Sequence, residues 1–200
     1  MKLSLFKIIL MVAAALAVLA AGTGAALAAT ASSSITVSLP INNYISISQP
    51  TDVSMPAIAG TGGSSEGSAS WSVITNNALG YSLAVAAGSS PAMNSGSNSI
   101  PDYTTSVPDT PETWSVAADQ GAFGFSAEGP ATSADTWGTP STGNGKYRGF
   151  NGTTGIAVAN NPLFTTGQTT SVYFKGEIGT SYTQPSGTYS SSITATATTL

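Results

Sequence analysis

The chain of 200 residues contains neither cysteine nor histidine. It therefore cannot build a Ser-His or Cys-His nucleophile, a zinc site of imidazole and thiolate ligands, or a stabilising disulfide. Its stability must come from packing and from backbone hydrogen bonds. These absences predict a non-enzymatic protein that needs no cofactor.

Carboxylates are the catalytic groups that remain. A glycosidase needs only two of them facing each other across a sugar, and four acidic residues lie within one stretch of sequence: Glu112, Asp119, Glu128 and Asp135. No motif fixes their geometry, so we interpret them as solvated loop acids. Calcium binding through hard oxygen ligands is a second hypothesis, and its candidates follow no EF-hand spacing: Asp102, Asp109 and Glu112, or Asp135 with Asn144.

Basic side chains are scarce, with five Lys and Arg against nine Asp and Glu. Two of the five stand in the first seven residues, and without them three scattered cations remain against nine acids, a net charge of about −6. Nucleic-acid binding requires a cluster of cations on one surface. The balance therefore predicts no nucleic-acid partner, and it also disfavours anionic lipid surfaces.

The N-terminus has the three-part layout of a secretory signal peptide. Lys2 and Lys7 give a positive start, residues 8–21 form an uncharged apolar run, and small residues stand at 26 and 28. The run is shorter than the roughly 20 residues that a membrane-spanning helix needs. We predict a signal-peptide helix over residues 1–28 and a secreted or cell-surface protein that has no membrane partner after cleavage. Cleavage after residue 31 and a retained anchor are the alternatives.

Residues 29–200 are predicted to form a single all-β domain, because polar and apolar residues alternate with a period of two. The alternation is cleanest over 189–198, where every even position carries a hydroxyl group. Apolar residues also alternate on either side of a turn at 76–80, which predicts a β-hairpin. Short strands separated by Gly, Pro and Asn predict an antiparallel β-sandwich that is Ig-like or jelly-roll-like.

The pattern changes between about 88 and 149, where six prolines interrupt it. The stretch is rich in aromatic residues, which disordered segments lack, so we predict a long ordered insertion that carries a few short strands. Aromatic faces beside carboxylates are typical of carbohydrate-binding surfaces. The candidate ligand-binding residues are Trp137, predicted to be the best exposed, with Tyr103 and Tyr147.

The segment that follows the predicted signal peptide has one apolar face. Ile35, Val37 and Leu39 alternate with polar residues over 32–39, and we call residues 29–40 the arm. Lysine, which protects exposed strand edges, is nearly absent. The arm is predicted to add as a strand to a neighbouring copy, which would give a homo-oligomer or filament. The alternative is that it forms the first strand of a monomer.

Two further stretches resemble known surface proteins. The sequence PSGTY at 185–189, followed by alternating apolar residues, resembles the closing strand of spore-coat-U-like and fimbria-like secreted β-sandwiches. The sequence WSV at 71–73 and 114–116 is similar to a degenerate Trp-x-Leu (WxL) motif of bacterial cell-wall-binding proteins. The resemblance implies a structural protein of the cell surface, with a carbohydrate- or wall-binding module as the alternative function.

Overall fold

The computed structural model describes residues 28–200, so the predicted signal peptide lies outside the described residues except for Ala28. Residues Ile41–Leu200 form one compact unit, and residues 28–40 do not belong to it. Within the described part, no helix is long and apolar enough to cross a membrane. The compact unit is all-β, and its antiparallel strands are β1 (Ile45–Ile47), β2 (Gly63–Thr75), β3 (Tyr81–Ala87), β4 (Met93–Ser95), β5 (Asn98–Ile100), β6 (Glu112–Thr113), β7 (Gly121–Glu128), β8 (Gly138–Thr139), β9 (Asn144–Tyr147), β10 (Ile156–Asn161), β11 (Thr165–Ile178) and β12 (Ile193–Thr199).

The largest sheet has the strand order β1-β2-β11-β7. The long strands β2 and β11 form its centre and pair antiparallel over almost their whole length. Their side chains alternate between faces, as the period of two predicts. Trp71 and Val73 of β2 and Val172 and Phe174 of β11 are buried on the inward face.

The second sheet has the order β10-β3-β12. Its central strand β3 directs Tyr81, Leu83 and Val85 inward, and each is fully buried. These residues belong to the same hydrophobic cluster as the inward residues of the four-stranded sheet. The two sheets therefore share one core, and the alternation of β12 is confirmed, since its even positions are exposed and its odd positions partly buried.

The predicted hairpin around residues 76–80 is wrong. β2 pairs with β1 and β11, whereas β3 pairs with β10 and β12. The turn instead carries the chain from one sheet to the other, with the Gly80 N–H donating to the Asn77 carbonyl at 2.9 Å. Gly80 has a positive φ of 83°, which glycine adopts without a steric cost. A turn forms where Asn and Gly predict it, but local turn chemistry does not specify which strands pair.

The stretch predicted as an insertion contains β7, a full member of the four-stranded sheet. β7 divides it into two loop regions, 88–120 and 129–149. Both regions return to the free side of β7, where Tyr103 N–H donates to the Phe123 carbonyl at 2.7 Å and Phe125 N–H donates to the Arg148 carbonyl at 2.8 Å. The loops thereby cover one edge of this sheet.

The smaller elements lie in these loop regions. β4 pairs with β5, and β9 pairs with β6 and β8. A one-turn helix, α1 (Ala134–Trp137), is capped at Ser133, whose side chain accepts from the Thr136 N–H. A 3-10 turn follows at Pro140–Thr142.

The arm forms neither a strand nor a helix in the structure. Its three alternating apolar side chains are almost fully exposed: Ile35 by 87%, Val37 by 84% and Leu39 by 84%. Apolar groups of this size normally gain about 1.5–3 kcal/mol each from burial. The arm therefore carries an apolar face that a single copy of the chain leaves in solvent.

Candidate functional site

The predicted ligand-binding residues Tyr103 and Tyr147 come together on the outer face of the four-stranded sheet. They flank Trp114, whose ring is stacked on Tyr103 with centroids 4.4 Å apart and meets Tyr147 edge-on at 5.4 Å. Both tyrosines are only 6% exposed. They form the centre of a second small core, with Ala122, Trp114 and Val116 around them. We call this group the aromatic cluster.

Gly124 lets the aromatic cluster approach the sheet. It lies opposite Lys175 on the outer face, and a Cβ at this position would stand 3.0 Å from the Tyr103 Cβ and 3.1 Å from the Trp114 Cζ3. Charged residues of β11 border the cluster: the Lys175 ammonium lies 5.8 Å from the Trp114 ring centre and 5.7 Å from that of Tyr147. Such cation–π contacts are favourable.

Hydrogen bonds hold the aromatic cluster in place. The Trp114 indole N–H donates to the Glu177 carboxylate at 2.7 Å. The Tyr103 hydroxyl donates to the Thr113 carbonyl at 3.2 Å and accepts from the Ser115 N–H at 3.1 Å. Because the rings of Tyr103 and Tyr147 are buried and the polar atoms of Tyr103 and Trp114 are hydrogen-bonded, the aromatic cluster fixes the first loop region on the sheet.

Burial also changes the acidity of the two tyrosines. Desolvation, assisted by the negative charge of Glu66 and by Tyr173, raises the pKa of Tyr147 from 10.0 to about 12. Desolvation likewise raises the pKa of Tyr103. Both phenols are therefore neutral at physiological pH.

The expectation that Trp137 is well exposed is wrong, because only 4% of it is accessible. Its indole packs against Phe125 with ring centroids 5.3 Å apart and closes the shared core next to β7. The buried Ser126 hydroxyl donates to the Trp137 carbonyl at 3.1 Å and fixes the end of α1. The surrounding Pro- and Gly-rich sequence is typical of an exposed loop, but here the turn folds back so that the Trp137 indole packs on the shared core.

Trp137 nevertheless contributes to the wall of a surface pocket of about 340 Å³. The pocket also contains Arg148, whose guanidinium forms an ion pair with the Asp109 carboxylate and donates to the Asp109 carbonyl at 2.9 Å. Asn151 donates its amide to the same carboxylate at 3.0 Å. Sequence reasoning missed this group, although a single arginine in a charge-poor chain, next to buried aromatics, is a usable signal.

The electrostatics of this pocket favour an ionised carboxylate. The Asn151 hydrogen bond and the Arg148 charge lower the pKa of Asp109. Asp109 also adopts a positive φ of 63°, a conformation that Asp tolerates better than most residues. The result is a carboxylate held beside a largely buried guanidinium, in a pocket that Thr136 and Thr154 also line.

Three of the candidate catalytic and calcium-binding acids, Glu112, Glu128 and Asp102, each accept hydrogen bonds from neighbouring groups. Ser106 donates to Glu112 from its backbone and side chain, and these bonds lower the Glu112 pKa. Ser141 binds Glu128 in the same bidentate way. Asp102 accepts from the Ala92 N–H at 3.0 Å and from Ser90. Among residues 28–200, no group of three acidic side chains is placed to hold a metal ion.

A different surface lies where β1 and β12 run next to each other. The inward positions of the central strands are buried, whereas Ile45 of β1 and Ile193, Ala195 and Ala197 of β12 are only partly buried against the same core. We call these four residues the open groove. Its side chains are apolar, and two of the four are alanines, so the core is incompletely covered on this side.

β12 also presents an unpaired backbone edge at the open groove. The Ser192 carbonyl accepts from the Gly88 N–H at 2.8 Å, and the Leu200 N–H donates to the Gly80 carbonyl at 3.1 Å. Even-numbered residues of β12 therefore direct their backbone groups to β3. Backbone groups of successive residues point to opposite sides of an antiparallel strand. The N–H and C=O groups of the odd-numbered residues therefore point away from β3, and no strand of the described chain pairs with that side.

Exposed apolar residues also cluster at the end of the sheets where β12 finishes. Leu79 is 65%, Leu163 62% and Phe164 64% exposed. The turns that carry them touch, because the ideal Cβ position of Gly80 lies only 2.7 Å from the Leu163 nitrogen. Leu200 lies at the same end, bonded to Gly80. Contiguous exposed apolar surface of this kind usually marks an interaction site.

No known protein family, curated protein or solved structure matches this chain. Three surfaces of the described chain bear on function: the arm, the open groove with its free edge, and the pocket beside Arg148.

Proposed function

We propose that the protein is a secreted, non-enzymatic structural protein of the cell surface or extracellular space, and that it self-assembles by strand addition. In this proposal the two main sheets form a single β-sandwich, and the arm supplies the added strand. The chain builds a hydrophobic core without any disulfide. Its acidic surface is unsuited to nucleic acid, and it has few of the lysines that protect strand edges from pairing.

The proposal rests on two observations: an exposed apolar segment and an incompletely covered strand edge in the same chain. The arm has three alternating apolar side chains in solvent. The folded unit has a partly covered apolar groove beside a free strand edge. Adding a strand at an exposed edge satisfies backbone groups and buries alternate side chains at the same time. The exposed apolar end of the sheets adds further surface for contact between copies.

Exchange between copies gives an extended assembly. The arm of one copy would bind to a strand edge of a second copy, and the arm of the second copy would bind to a third. Such head-to-tail contacts produce filaments when the rotation between copies does not close into a ring.

The test is the mass of the exported protein with and without the arm. We expect the intact protein to form oligomers whose mass rises with concentration in sedimentation experiments, and filaments in electron micrographs. A variant without residues 29–40 should remain a monomer with an unchanged melting temperature. A sharper variant keeps the length of the arm and replaces Ile35, Val37 and Leu39 with serine. A monodisperse monomer for the intact protein at all concentrations would reject the proposal.

Carbohydrate or cell-wall binding is the second candidate function. The pocket beside Arg148 favours it, because a fixed carboxylate, a guanidinium and an amide converge there next to the Trp137 indole. Concave sites with a few convergent polar groups are the usual form of small-ligand sites, and sugar hydroxyls can both donate to and accept from such groups.

Retention on polysaccharide and cell-wall preparations tests this second function. We expect the protein to be retained, and Asn151→Ala to reduce retention because the amide lines the pocket and is exposed. Thr142→Ala, in an exposed turn outside the pocket, is the matched control. If the native protein is not retained by any preparation, the pocket does not bind carbohydrate.

A further inference from the structure

We infer that the acceptor for the arm is the outer edge of β12 in a second copy of this chain, with Ile35, Val37 and Leu39 directed into the open groove. This inference rests on the proposed self-assembly and adds the site and the facing of the added strand. Three properties of the two segments support it: the side to which odd- and even-numbered residues of β12 direct their backbone groups, the lengths of the segments, and the sizes of their side chains.

Backbone parity fixes which residues of β12 receive the arm. The odd-numbered residues carry the free N–H and C=O groups, and the same odd-numbered side chains Ile193, Ala195 and Ala197 line the groove. In an antiparallel pair, residues directly opposite each other have side chains on the same face. When Val37 faces the groove, it therefore stands opposite an odd-numbered residue of β12, and Thr36 stands opposite an even-numbered one on the solvent face.

The two segments also match in length. β12 spans seven residues, which is about 24 Å of antiparallel strand. The arm offers eight residues, 32–39, before Pro40, and proline has no N–H to continue a ladder. The small side chains Ala195 and Ala197 leave space for the larger Ile35, Val37 and Leu39, so that large residues meet small ones.

The other edges of the two main sheets are less suitable acceptors. The loop regions already bond to the free side of β7. β1 is only three residues long. The outer side of β10 receives a bond from a loop, since the Asn160 N–H donates to the Ala131 carbonyl at 2.9 Å, and β10 has a register shift between Ala157 and Ala159. β12 has no shift, and it carries no charged residue that would repel an added strand.

Paired lysine substitutions test the facing of the arm. Val37→Lys would place a charge in the groove, whereas Thr36→Lys adds the same charge one residue away on the solvent face. We expect Val37→Lys to abolish assembly in sedimentation velocity and Thr36→Lys to assemble like the native protein. On the acceptor, Ala197→Lys should abolish assembly and Thr196→Lys should not. Because Val37 is exposed in a single copy, the arm pair remains informative even if Ala197→Lys fails to fold.

Engineered cysteines locate the contact directly, because the native chain has none. One copy carries Thr36→Cys, and the other carries a cysteine at Thr194, Thr196 or Thr198. Opposite residues of a non-hydrogen-bonded antiparallel pair lie about 4.5 Å apart at Cα, within the range of a disulfide. We expect a covalent dimer with at least one of the three positions under mild oxidation. Val37→Cys places the thiol on the groove face, away from the cysteines of β12, and should give at least about tenfold less covalent dimer.

The outcomes separate this inference from the proposed function. If the native protein never assembles, the proposed function fails first. If assembly requires the arm but no β12 position crosslinks and Thr36→Lys blocks it as strongly as Val37→Lys, self-assembly stands and the β12 acceptor is wrong. A crosslink formed within one chain, at a rate independent of concentration, would also overturn exchange between copies.

Discussion

The fit of the aromatic cluster on Gly124 gives a stability prediction that can be tested with a matched control. In Gly124→Ala the added Cβ would lie 2.7 Å from the Arg148 carbonyl oxygen and close to Tyr103 and Trp114. Two of these three neighbours are backbone or Cβ atoms, which cannot swing away. The substitution must therefore lift the aromatic cluster or the loop at Arg148 away from β7.

The control is Gly176→Ala on the other face of the same sheet. Gly176 lies beside Phe123 in the register of β7 and β11, and a Cβ there would meet its nearest neighbours at 3.9 Å, an ordinary contact distance. Overpacking typically costs about 1–3 kcal/mol, whereas Gly→Ala at a compatible position stabilises by about 0.4–1 kcal/mol. The two variants should therefore change the free energy of unfolding in opposite directions.

Urea unfolding followed by circular dichroism and by tryptophan fluorescence measures both effects. We expect Gly124→Ala to lower the urea midpoint and to shift the fluorescence of the folded state, since Trp114 loses its contact with the sheet. Gly176→Ala should leave the fluorescence unchanged. Equal stability of the two variants, with native fluorescence in both, would refute the close packing of the cluster on Gly124.

Three further predictions concern the core, the pocket and the aromatic cluster. Phe125→Ala should lower the free energy of unfolding by about 3–5 kcal/mol in urea titrations, because it removes a fully buried ring at the centre of the shared core; a loss below about 1 kcal/mol would contradict this packing. Asp109 has a lowered folded-state pKa, so its contribution is present above about pH 4 and disappears as the pH falls through that pKa. Asp109→Asn should thus be less stable than the native protein at pH 7 and equal to it in acid, and a difference that persists in acid would count against the ion pair. Tyr147 has a folded-state pKa of about 12 against 10.0 for the free group, so its contribution is present below pH 10 and is lost as the pH rises through 12; the fall in urea midpoint over this interval should shrink in Tyr147→Phe, and an identical fall would disprove the shift.

Much of the local structure could be predicted from the sequence, because a period of two reports which face of a strand a side chain occupies. The hydroxyl face and the small apolar face of β12 follow directly from this pattern. The apolar face of the arm does too, although the arm forms no strand in a single copy. A period of two favours an extended conformation, but a segment without a neighbouring strand has no hydrogen-bonding partner and does not form a stable strand.

The candidate sites were less accessible to sequence reasoning. Tyr103, Trp114 and Tyr147 lie in the loop-rich stretch, but no local pattern indicates that their rings contact one another. The contact of Asp109 with Arg148 joins residues 39 positions apart, and no local pattern records such a distance.

The sequence by itself determined the all-β character of the chain, the two faces of its strands, and the chemistry that it lacks, since these depend on composition and on neighbours one or two residues away. Only the tertiary structure decided which strands pair, that Trp137 closes the core, and that β12 keeps a free edge. These features depend on contacts between segments that are distant in sequence, such as Ser70 with Ser171. The free energy of folding that favours these contacts depends on how much of the shared core the whole chain buries.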